Sequence, residues 1–373
     1  MNVKIPLFKI YWDSLDIEGV TNSLKSGMNW SIGENIGLFE RNIRQYIGTK
    51  HATVFNSGTS ALHSALLAYG IGEGDEIIVP SFTFVATANA PLFVGAKPVF
   101  ADIEDDTFGL DPEDLKERIT DHTRAIIPVH YGGCPCKIRE LEEIAQDYGL
   151  ILIEDAAESF GAKIEESRVG TFGDAAMFSF CQNKIITTGD GGAITTDSKH
   201  INERLALIRS HGQLTKPLGL EQDYSSDYVA LGYNFRMSNV TAALGITQLD
   251  KIDSIIDMRR RNAHYLTAKL KRNCKDVATP TSPRGYHSVY QMYTIRHPAR
   301  DQLMQHLFRR GIATKVYFPP VHQSYFYRKV LKCSSRLPVT DKIAQQVLTL
   351  PLWPHMDKEE IDCVVDGICS FRR

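Results

Sequence analysis

The chain has 373 residues, 43% of them hydrophobic and 23% charged, and its 42 Lys and Arg against 44 Asp and Glu give a formal net charge of −2. This composition is ordinary for a folded protein and excludes a chain that is mainly disordered. There is no basic excess of the kind that binds nucleic acid, and no apolar run long enough to span a membrane. We therefore expect a cytoplasmic protein of two or three domains, with neither nucleic acid nor a membrane as partner.

The seven cysteines follow no regular spacing, and their number is odd. A disulfide framework is therefore not expected, and reduced thiols fit a cytosolic protein better. The pair Cys134 and Cys136 lacks a second pair that would complete a zinc site, so we expect no bound metal.

Short apolar segments recur between residues 51 and 196, and helical patterns such as Ser57 to Tyr69 separate the first five of them. Strands that are apolar throughout and alternate with helices indicate a mostly parallel sheet covered on both faces. The predicted strands are 51–56, 76–82, 97–103, 125–131, 150–157, 175–180 and 191–196.

The pattern changes after about residue 198. It predicts one long helix over 239–272, a strand over 288–295, a helix over 301–311 that ends at Gly311, and a short helix near the C-terminus. We therefore predict a large α/β domain over residues 1–245 and a smaller α+β domain over residues 246–373.

Polar residues follow several predicted strands, where ligands bind in open α/β sheets. After the first strand, Ser57, Gly58 and Thr59 start a helix whose free N–H groups can hold an anion, with simple N-capping as the alternative. The fifth strand ends near Glu154, Asp155 and Glu158. A ligand partner, an ion pair or a helix cap would each explain a carboxylate there.

Lys184 lies before a glycine-rich turn, and Ser179 precedes it. A lysine beside such a loop can form a Schiff base, although a solvated lysine is the commoner case. Together with the carboxylate and the helix start, these residues fit pyridoxal phosphate (PLP), which needs a lysine, a partner for its ring nitrogen and a phosphate cradle.

These motifs occur in one order along the chain, from about residue 25 to 356, and include NSGTSALHSAL, PSFTFVATANA, LILIEDAAES, NKIITTGDGG and LGYNFRMSN. In this order they resemble the DegT/DnrJ/EryC1/StrS family of PLP-dependent nucleotide-sugar aminotransferases. The resemblance implies an aspartate-aminotransferase-like fold with a seven-stranded, mostly parallel sheet. The segments AES and NKIITTGDGG are similar to the perosamine-synthase-like branch of the family.

The resemblance also implies roles for individual residues. Lys184 would bind the cofactor covalently, Asp155 would pair with its pyridine nitrogen, and Glu158 would lie near its phenolic oxygen, where the family usually has Gln or His. Asn234 would reach the phosphate of the neighbouring subunit, so that a homodimer shares its active sites. The remaining cofactor contacts would be Ser57, Gly58, Thr59, Phe84 and Ser179.

Contacts to the sugar nucleotide follow from the same resemblance, with surface packing as the alternative for each. The candidates are Trp30, Ser31, Arg236, Tyr317 and His322. His130, at the end of the fourth strand, is expected to be structural rather than catalytic.

The implied reaction moves an amino group from L-glutamate to a nucleotide-linked 4-keto-6-deoxyhexose, with GDP-4-keto-6-deoxymannose as the leading substrate. A C3 aminotransferase acting on a UDP- or dTDP-linked sugar and a non-catalytic relative are the alternatives. A sugar 3-dehydratase is disfavoured because that branch has His in place of Lys184. No G-x-G-x-x-G follows the first strand, which argues against a nicotinamide enzyme.

Overall fold

A computed structural model describes residues 3–218 and 223–371 of the chain. Its strands are β1 His51–Phe55, β2 Glu76–Pro80, β3 Lys97–Ala101, β4 Thr123–Ile126, β5 Ile151–Asp155, β6 Lys163–Ile164, β7 Ser167–Arg168, β8 Ala175–Ser179, β9 Gly192–Thr196, β10 Gln213–Leu218, β11 Asp223–Tyr228, β12 Tyr286–His287, β13 Tyr293–Arg296 and β14 Val347–Leu350.

Helices fill the intervals between these strands and the ends of the chain. They are α1 Ser14–Lys25, α2 Glu34–Ile47, α3 Gly58–Ala68, α4 Val85–Phe93, α5 Pro112–Arg118, α6 Ile138–Tyr148, α7 Lys199–Arg209, α8 Asn239–Asp250, α9 Ile252–Asn273, α10 Arg300–Arg309, α11 Pro338–Gln346 and α12 Lys358–Cys369. Within the described ranges, no helix is long and apolar enough to cross a bilayer.

The central sheet has seven strands in the order β1-β9-β8-β5-β4-β2-β3. Six run parallel, and β9 is antiparallel to both of its neighbours. Neighbouring residues pack on opposite faces: Phe55 joins the core around Leu62, whereas Val54 joins the core around Phe39. The predicted α/β class and mostly parallel sheet are confirmed, and both faces of the sheet are covered.

The C-terminal part packs α9, α10 and α12 against the antiparallel pair β13–β14, with Trp353 and Leu266 buried in its core. Ile5 belongs to the same core and forms a bridge with Ile312, so the N-terminal segment packs with this region. The domain limits 1–245 and 246–373 remain predictions.

Two predicted elements differ from the structure. The single helix over 239–272 is wrong, because the chain leaves helical geometry at Lys251 (φ −113°, ψ 12°) between α8 and α9. The ammonium of Lys251 contacts Asp13 and Asp16 there, both at 2.7 Å, and no Gly or Pro marks the break in the sequence. The strand over 288–295 is confined to Tyr293–Arg296, because Val289 and Met292 instead donate backbone hydrogen bonds to Gly133 and Gly132.

The expectation of reduced thiols throughout is wrong for one pair. Cys274 follows α9 and Cys369 ends α12, and a disulfide joins them with a Cα–Cα distance of 5.4 Å. The two cysteines are 95 residues apart. The spacing of the cysteines in the sequence therefore does not predict this disulfide. The two sulfurs come within bonding range because the C-terminal ends of α9 and α12 pack side by side.

Candidate active site

Asp155 is the last residue of β5, and its carboxylate is buried at the carboxyl edge of the sheet. Its Oδ2 accepts a hydrogen bond from Thr87 Oγ1 at 2.7 Å, and its Oδ1 accepts one from Ala157 N at 3.2 Å. Burial raises the pKa of this carboxyl above its usual range, while the two hydrogen bonds and Lys184 oppose the shift. A buried carboxyl with so few donors can still take a cationic partner.

Glu158 follows Asp155 by three residues and is also buried. Its Oε1 lies 3.6 Å from Lys184 Nζ, and its Oε2 accepts a hydrogen bond from Gly132 N at 2.9 Å. Burial is the largest influence and raises the pKa of Glu158, whereas the positive charge of Lys184 counteracts it. The structure thus brings three predicted residues, Lys184, Asp155 and Glu158, into one electrostatically coupled group.

Lys184 reaches this group from the connection between β8 and β9, which are adjacent in the sheet. A turn places it there, because its N–H bonds the carbonyl of Cys181 at 2.9 Å. Its side chain is only 15% exposed. Lys184 is therefore held in the site rather than solvated on a surface loop.

The residues predicted to hold a phosphate lie at the N-terminus of α3. Ser57 is the N-cap and accepts a hydrogen bond from Ser60 N at 3.1 Å, so capping does occur. Capping leaves the first N–H groups of the helix, at Gly58 and Thr59, without an intrahelical acceptor. An anion can bind there because the helix dipole favours negative charge at this end.

Close backbone approach explains the glycines of the cradle. A Cβ on Gly58 would lie 3.1 Å from Ser179 Cβ, and a Cβ on Gly192 would lie 2.6 Å from the backbone nitrogen of Gly58. Ser179 therefore lies directly beside the helix start. PLP fits a site made of these groups: the N-terminus of α3, the hydroxyl of Ser179, the buried carboxylate of Asp155 and the amine of Lys184.

Phe84 is the N-cap residue of α4 and is 60% exposed, and its ring centroid lies 6.2 Å from that of Phe318. An exposed ring at this position is free to stack on a ligand. Asn234 is exposed and bridges to Ser210, and its carbonyl accepts a hydrogen bond from Asn56 Nδ2 at 3.4 Å. Its backbone thus lies beside the residue that precedes Ser57.

The segment 317–322 packs against the residues that lead into α4. The carbonyl of Tyr317 accepts a hydrogen bond from the hydroxyl of Tyr131, and the peptide bond after Tyr317 is cis. His322 is buried, with Nδ1 2.7 Å from Ser81 Oγ and Nε2 3.4 Å from Asp341 Oδ1. Burial lowers the pKa of His322. A substrate contact from this ring would have to replace one of these partners.

The other candidate sugar contacts lie around the N-termini of α2 and α8. The indole N–H of Trp30 donates to the carbonyl of Leu24 at 3.0 Å, yet the side chain remains 52% exposed. The carbonyl of Ser31 accepts a hydrogen bond from Asn239 N at 3.2 Å. Arg236 donates to Ser210 Oγ at 3.2 Å, while its buried Nε has no hydrogen-bond partner in the described structure. That unsatisfied N–H suits an anionic group.

His130 is buried, and each of its ring nitrogens has a hydrogen-bond partner. Its Nδ1 accepts a hydrogen bond from Cys136 N at 3.0 Å, so the proton lies on Nε2, which is 3.0 Å from Glu154 Oε2. Both side chains are fully buried. This pair lies at the strand ends next to the site, and the backbone N–H of His130 donates a hydrogen bond to the carbonyl of Asp155 at 3.1 Å.

Sequence reasoning missed two groups of this site. Thr87 contacts Asp155 directly, and the backbone of Gly132 contacts Glu158. The available signal for Thr87 was two hydroxyls spaced four residues apart, Thr83 and Thr87, in an otherwise apolar helix start. For Gly132 it was the glycine pair that follows the fourth strand.

Comparison with known proteins gives the same assignment. The chain is 37% identical to a GDP-perosamine synthase of Caulobacter vibrioides, over 91% of this chain and 90% of that protein. It is also 37% identical to a UDP-N-acetyl-3-dehydro-α-D-glucosamine 3-aminotransferase of Acidithiobacillus ferrooxidans, over 88% and 86% of the two chains. The crystal structure of S. venezuelae DesV in complex with a ketimine intermediate superposes with a TM-score of 0.90, at 33% identity over 99% of both chains.

The model of the DegT/DnrJ/EryC1/StrS aminotransferase family matches residues 11–369. This match spans both the large sheet and the C-terminal region. The chain therefore belongs to the DegT/DnrJ/EryC1/StrS family and is a PLP-dependent sugar aminotransferase.

Proposed function

We propose that this enzyme transfers the amino group of L-glutamate to C4 of a nucleotide-linked 4-keto-6-deoxyhexose, with GDP-4-keto-6-deoxymannose as substrate and GDP-perosamine as product. The observation that carries the proposal is the buried group formed by Lys184 Nζ, Glu158 Oε1 at 3.6 Å and the neighbouring Asp155. The choice of sugar is supported by the similarity to GDP-perosamine synthases, which extends over most of the chain.

Each residue of the group has a distinct task in this proposal. Bound PLP supplies an electron-withdrawing ring that accepts the electron pair left when Cα of the amino donor loses its proton. Lys184 takes that proton from Cα and delivers it to C4′ of the cofactor, as a general base and then a general acid. Asp155 holds the proton on the ring nitrogen, because a nearby negative charge favours the protonated form.

Glu158 stands 3.6 Å from the lysine that moves the proton. Its raised pKa makes the carboxyl readier than an ordinary glutamate to hold a proton. Glu158 can therefore share a proton with the phenolic oxygen of the cofactor rather than repel it. Gly132 N fixes the other carboxylate oxygen and so limits its rotation.

A C3 aminotransferase acting on a UDP-linked sugar is the second candidate. The observation that favours it is the 37% identity to the 3-aminotransferase of Acidithiobacillus ferrooxidans, which equals the identity to the Caulobacter vibrioides protein. The two candidates share the amino-donor half of the reaction and differ in the nucleotide and the carbon that is aminated.

A substrate pair and two lysine variants test the proposal. Purified enzyme is incubated with L-glutamate and either GDP-4-keto-6-deoxymannose or a UDP-linked 3-keto sugar, and the products are identified by mass spectrometry and NMR. We expect amination of the GDP sugar at C4. Amination of only the UDP sugar at C3 would replace the first candidate by the second.

Lys184→Ala is expected to lower turnover by about 10²- to 10⁴-fold, the usual contribution of a general base. Lys50→Ala is the matched control, because Lys50 is 72% exposed and makes only a surface ion pair with Asp197. Near-normal multiple turnover by Lys184→Ala would overturn the assigned role of the lysine.

We also propose that two subunits share each active site through Asn234. The support is that exposed apolar side chains lie close in sequence to the candidate sugar contacts, with Met28 and Ile32 beside Trp30 and Leu231 before Arg236. Exposed apolar side chains of this kind are common at protein interfaces. Mixing Lys184→Ala subunits with Asn234→Ala subunits should restore activity, because one mixed site then has both residues. A mixture no more active than its separate components would contradict sharing.

A further inference from the structure

Two threonine hydroxyls connect the start of α4 to Asp155. Thr87 Oγ1 lies 2.7 Å from Asp155 Oδ2, and Thr83 Oγ1 lies 2.8 Å from Thr87 Oγ1. Thr83 is 2% exposed and Thr87 is 1% exposed. Both hydrogen bonds are therefore shielded from bulk water.

The direction of these bonds follows from the charge of the carboxylate. An ionised carboxylate only accepts hydrogen bonds, so the single hydroxyl proton of Thr87 is donated to Asp155. The oxygen of Thr87 must then accept the proton of Thr83. Bonds to a charged acceptor are about twice as strong as neutral ones, so this chain of hydroxyls favours the ionised form of Asp155.

The arrangement leaves the carboxylate able to bind a further donor. Each carboxylate oxygen has two lone pairs, and Asp155 uses one on Oδ2 for Thr87 and one on Oδ1 for Ala157 N. The two protein donors fix the plane of the carboxylate. One acceptor position on each oxygen remains for a ligand N–H.

We infer that Thr87, with Thr83 behind it, is a positioning residue that keeps Asp155 ionised and oriented toward the ring nitrogen of PLP. The inference rests on the proposed function, which assigns that partner to Asp155. Phe84 lies between the two threonines in the sequence and caps the same helix. The start of α4 would therefore position two groups of the site. One is the Phe84 ring that stacks on the cofactor, and the other, through Thr87, is the carboxylate that faces the ring nitrogen of the cofactor.

The test is solid-state ¹⁵N NMR of the holoenzyme loaded with PLP labelled at the ring nitrogen, together with the dissociation constant of PLP. Thr87→Val removes the donor at almost constant volume and should make Asp155 more basic by about one pKa unit. The ring-nitrogen resonance should then move toward that of a neutral pyridine. PLP should bind about tenfold more weakly, as expected for one hydrogen bond to a charged group.

Three further variants make the result specific. Thr87→Ser keeps the hydroxyl and should restore the wild-type resonance. Thr340→Val removes a comparable buried bond, from Thr340 Oγ1 to Asp102 Oδ1 at 2.7 Å, and should leave the ring nitrogen unchanged. Asp155→Asn removes the carboxylate itself and should give the largest displacement of the resonance.

The outcomes separate this inference from the proposed function. A wild-type resonance in Thr87→Val beside a displaced one in Asp155→Asn would overturn the role of Thr87 and leave that of Asp155 intact. A wild-type resonance in Asp155→Asn would overturn both. If Thr87→Val does not fold, Thr83→Val serves in its place, since it keeps the contact to Asp155. It should show a smaller displacement in the same direction, and no displacement would overturn the inference.

Discussion

Glu154 and Asp155 are neighbours at the end of β5, and the alternation of the strand turns their carboxylates to opposite faces of the sheet. Glu154 accepts hydrogen bonds from the backbone nitrogens of Gly170, Phe172 and Gly173, each at 2.9 Å, and from His130 at 3.0 Å. Within the part of the chain that the structure describes, Asp155 accepts two hydrogen bonds. Both carboxylates are thus buried, but Glu154 has twice as many hydrogen-bond donors around it as Asp155.

This difference separates a structural carboxylate from a functional one. Four donors use the lone pairs of Glu154 and fasten residues 170–173 to the strand, so no position remains for a ligand. Asp155 retains free acceptor positions, and burial raises its pKa. Perturbed carboxyls with unused acceptor capacity are typical of active sites, whereas saturated ones stabilise the fold. Three experiments test the roles assigned to the buried carboxyls of this site.

The largest effect is expected for Glu154→Gln, and it is an effect on stability. Glutamine keeps one carbonyl acceptor but turns an amide NH₂ toward backbone donors, which leaves buried groups unsatisfied. Each buried donor left without an acceptor costs about 1–3 kcal/mol in the free energy of unfolding. Denaturant unfolding measures the loss, and activity per folded molecule should be unchanged. A variant that folds normally but is inactive would contradict the structural role of Glu154.

Asp155→Asn should show the opposite behaviour. The ring nitrogen loses its negative partner, which shifts a pKa by about 1–3 units, so turnover should fall by about 10- to 1000-fold. The free energy of unfolding should stay close to the wild-type value, because the variant removes a buried charge and with it the cost of desolvating that charge. Steady-state kinetics and denaturant unfolding on the same preparation provide the comparison. Loss of stability without loss of activity would reverse the two assignments.

The smallest effect concerns the pH dependence of stability. The pKa of Glu158 is raised in the folded chain above its ordinary value of 4.5, so the folded chain holds a proton that the unfolded chain releases. Stability should therefore fall as pH rises from 4.5 to the raised pKa, by about 1.4 kcal/mol for each unit of the shift.

Glu158→Gln should flatten this part of the curve, and denaturant unfolding at a series of pH values measures it. Glu166→Gln is the control, because Glu166 is exposed. An unchanged slope in Glu158→Gln would show that Glu158 titrates normally in the folded chain.

The sequence predicts the strands of the large sheet well, because buried parallel strands are continuous apolar runs bounded by helices. It also predicts Lys184 and Asp155 as site residues from recognisable motifs, Asp155 at the end of β5 and Lys184 in the connection between β8 and β9. The positions of Gly58 beside Ser179 and of Glu158 beside Lys184 agree with the site that those motifs imply.

What the sequence does not predict depends on contacts between distant segments. Thr87 reaches Asp155 across 68 residues, and Cys274 meets Cys369 across 95. The break at Lys251 follows from its ion pairs with α1 and its N-cap rather than from a helix-breaking residue. The number of hydrogen bonds that Glu154 and Asp155 accept likewise depends on which donors from distant segments pack against each face of the sheet.

The most direct comparison of Glu154 and Asp155 measures the rate of 2-oxoglutarate release from L-glutamate in a single turnover per folded holoenzyme. We expect a wild-type rate for Glu154→Gln and a rate reduced by about 10- to 1000-fold for Asp155→Asn. Equal rates in the two variants, or a slower rate in Glu154→Gln, would contradict the structural role of Glu154 and the functional role of Asp155.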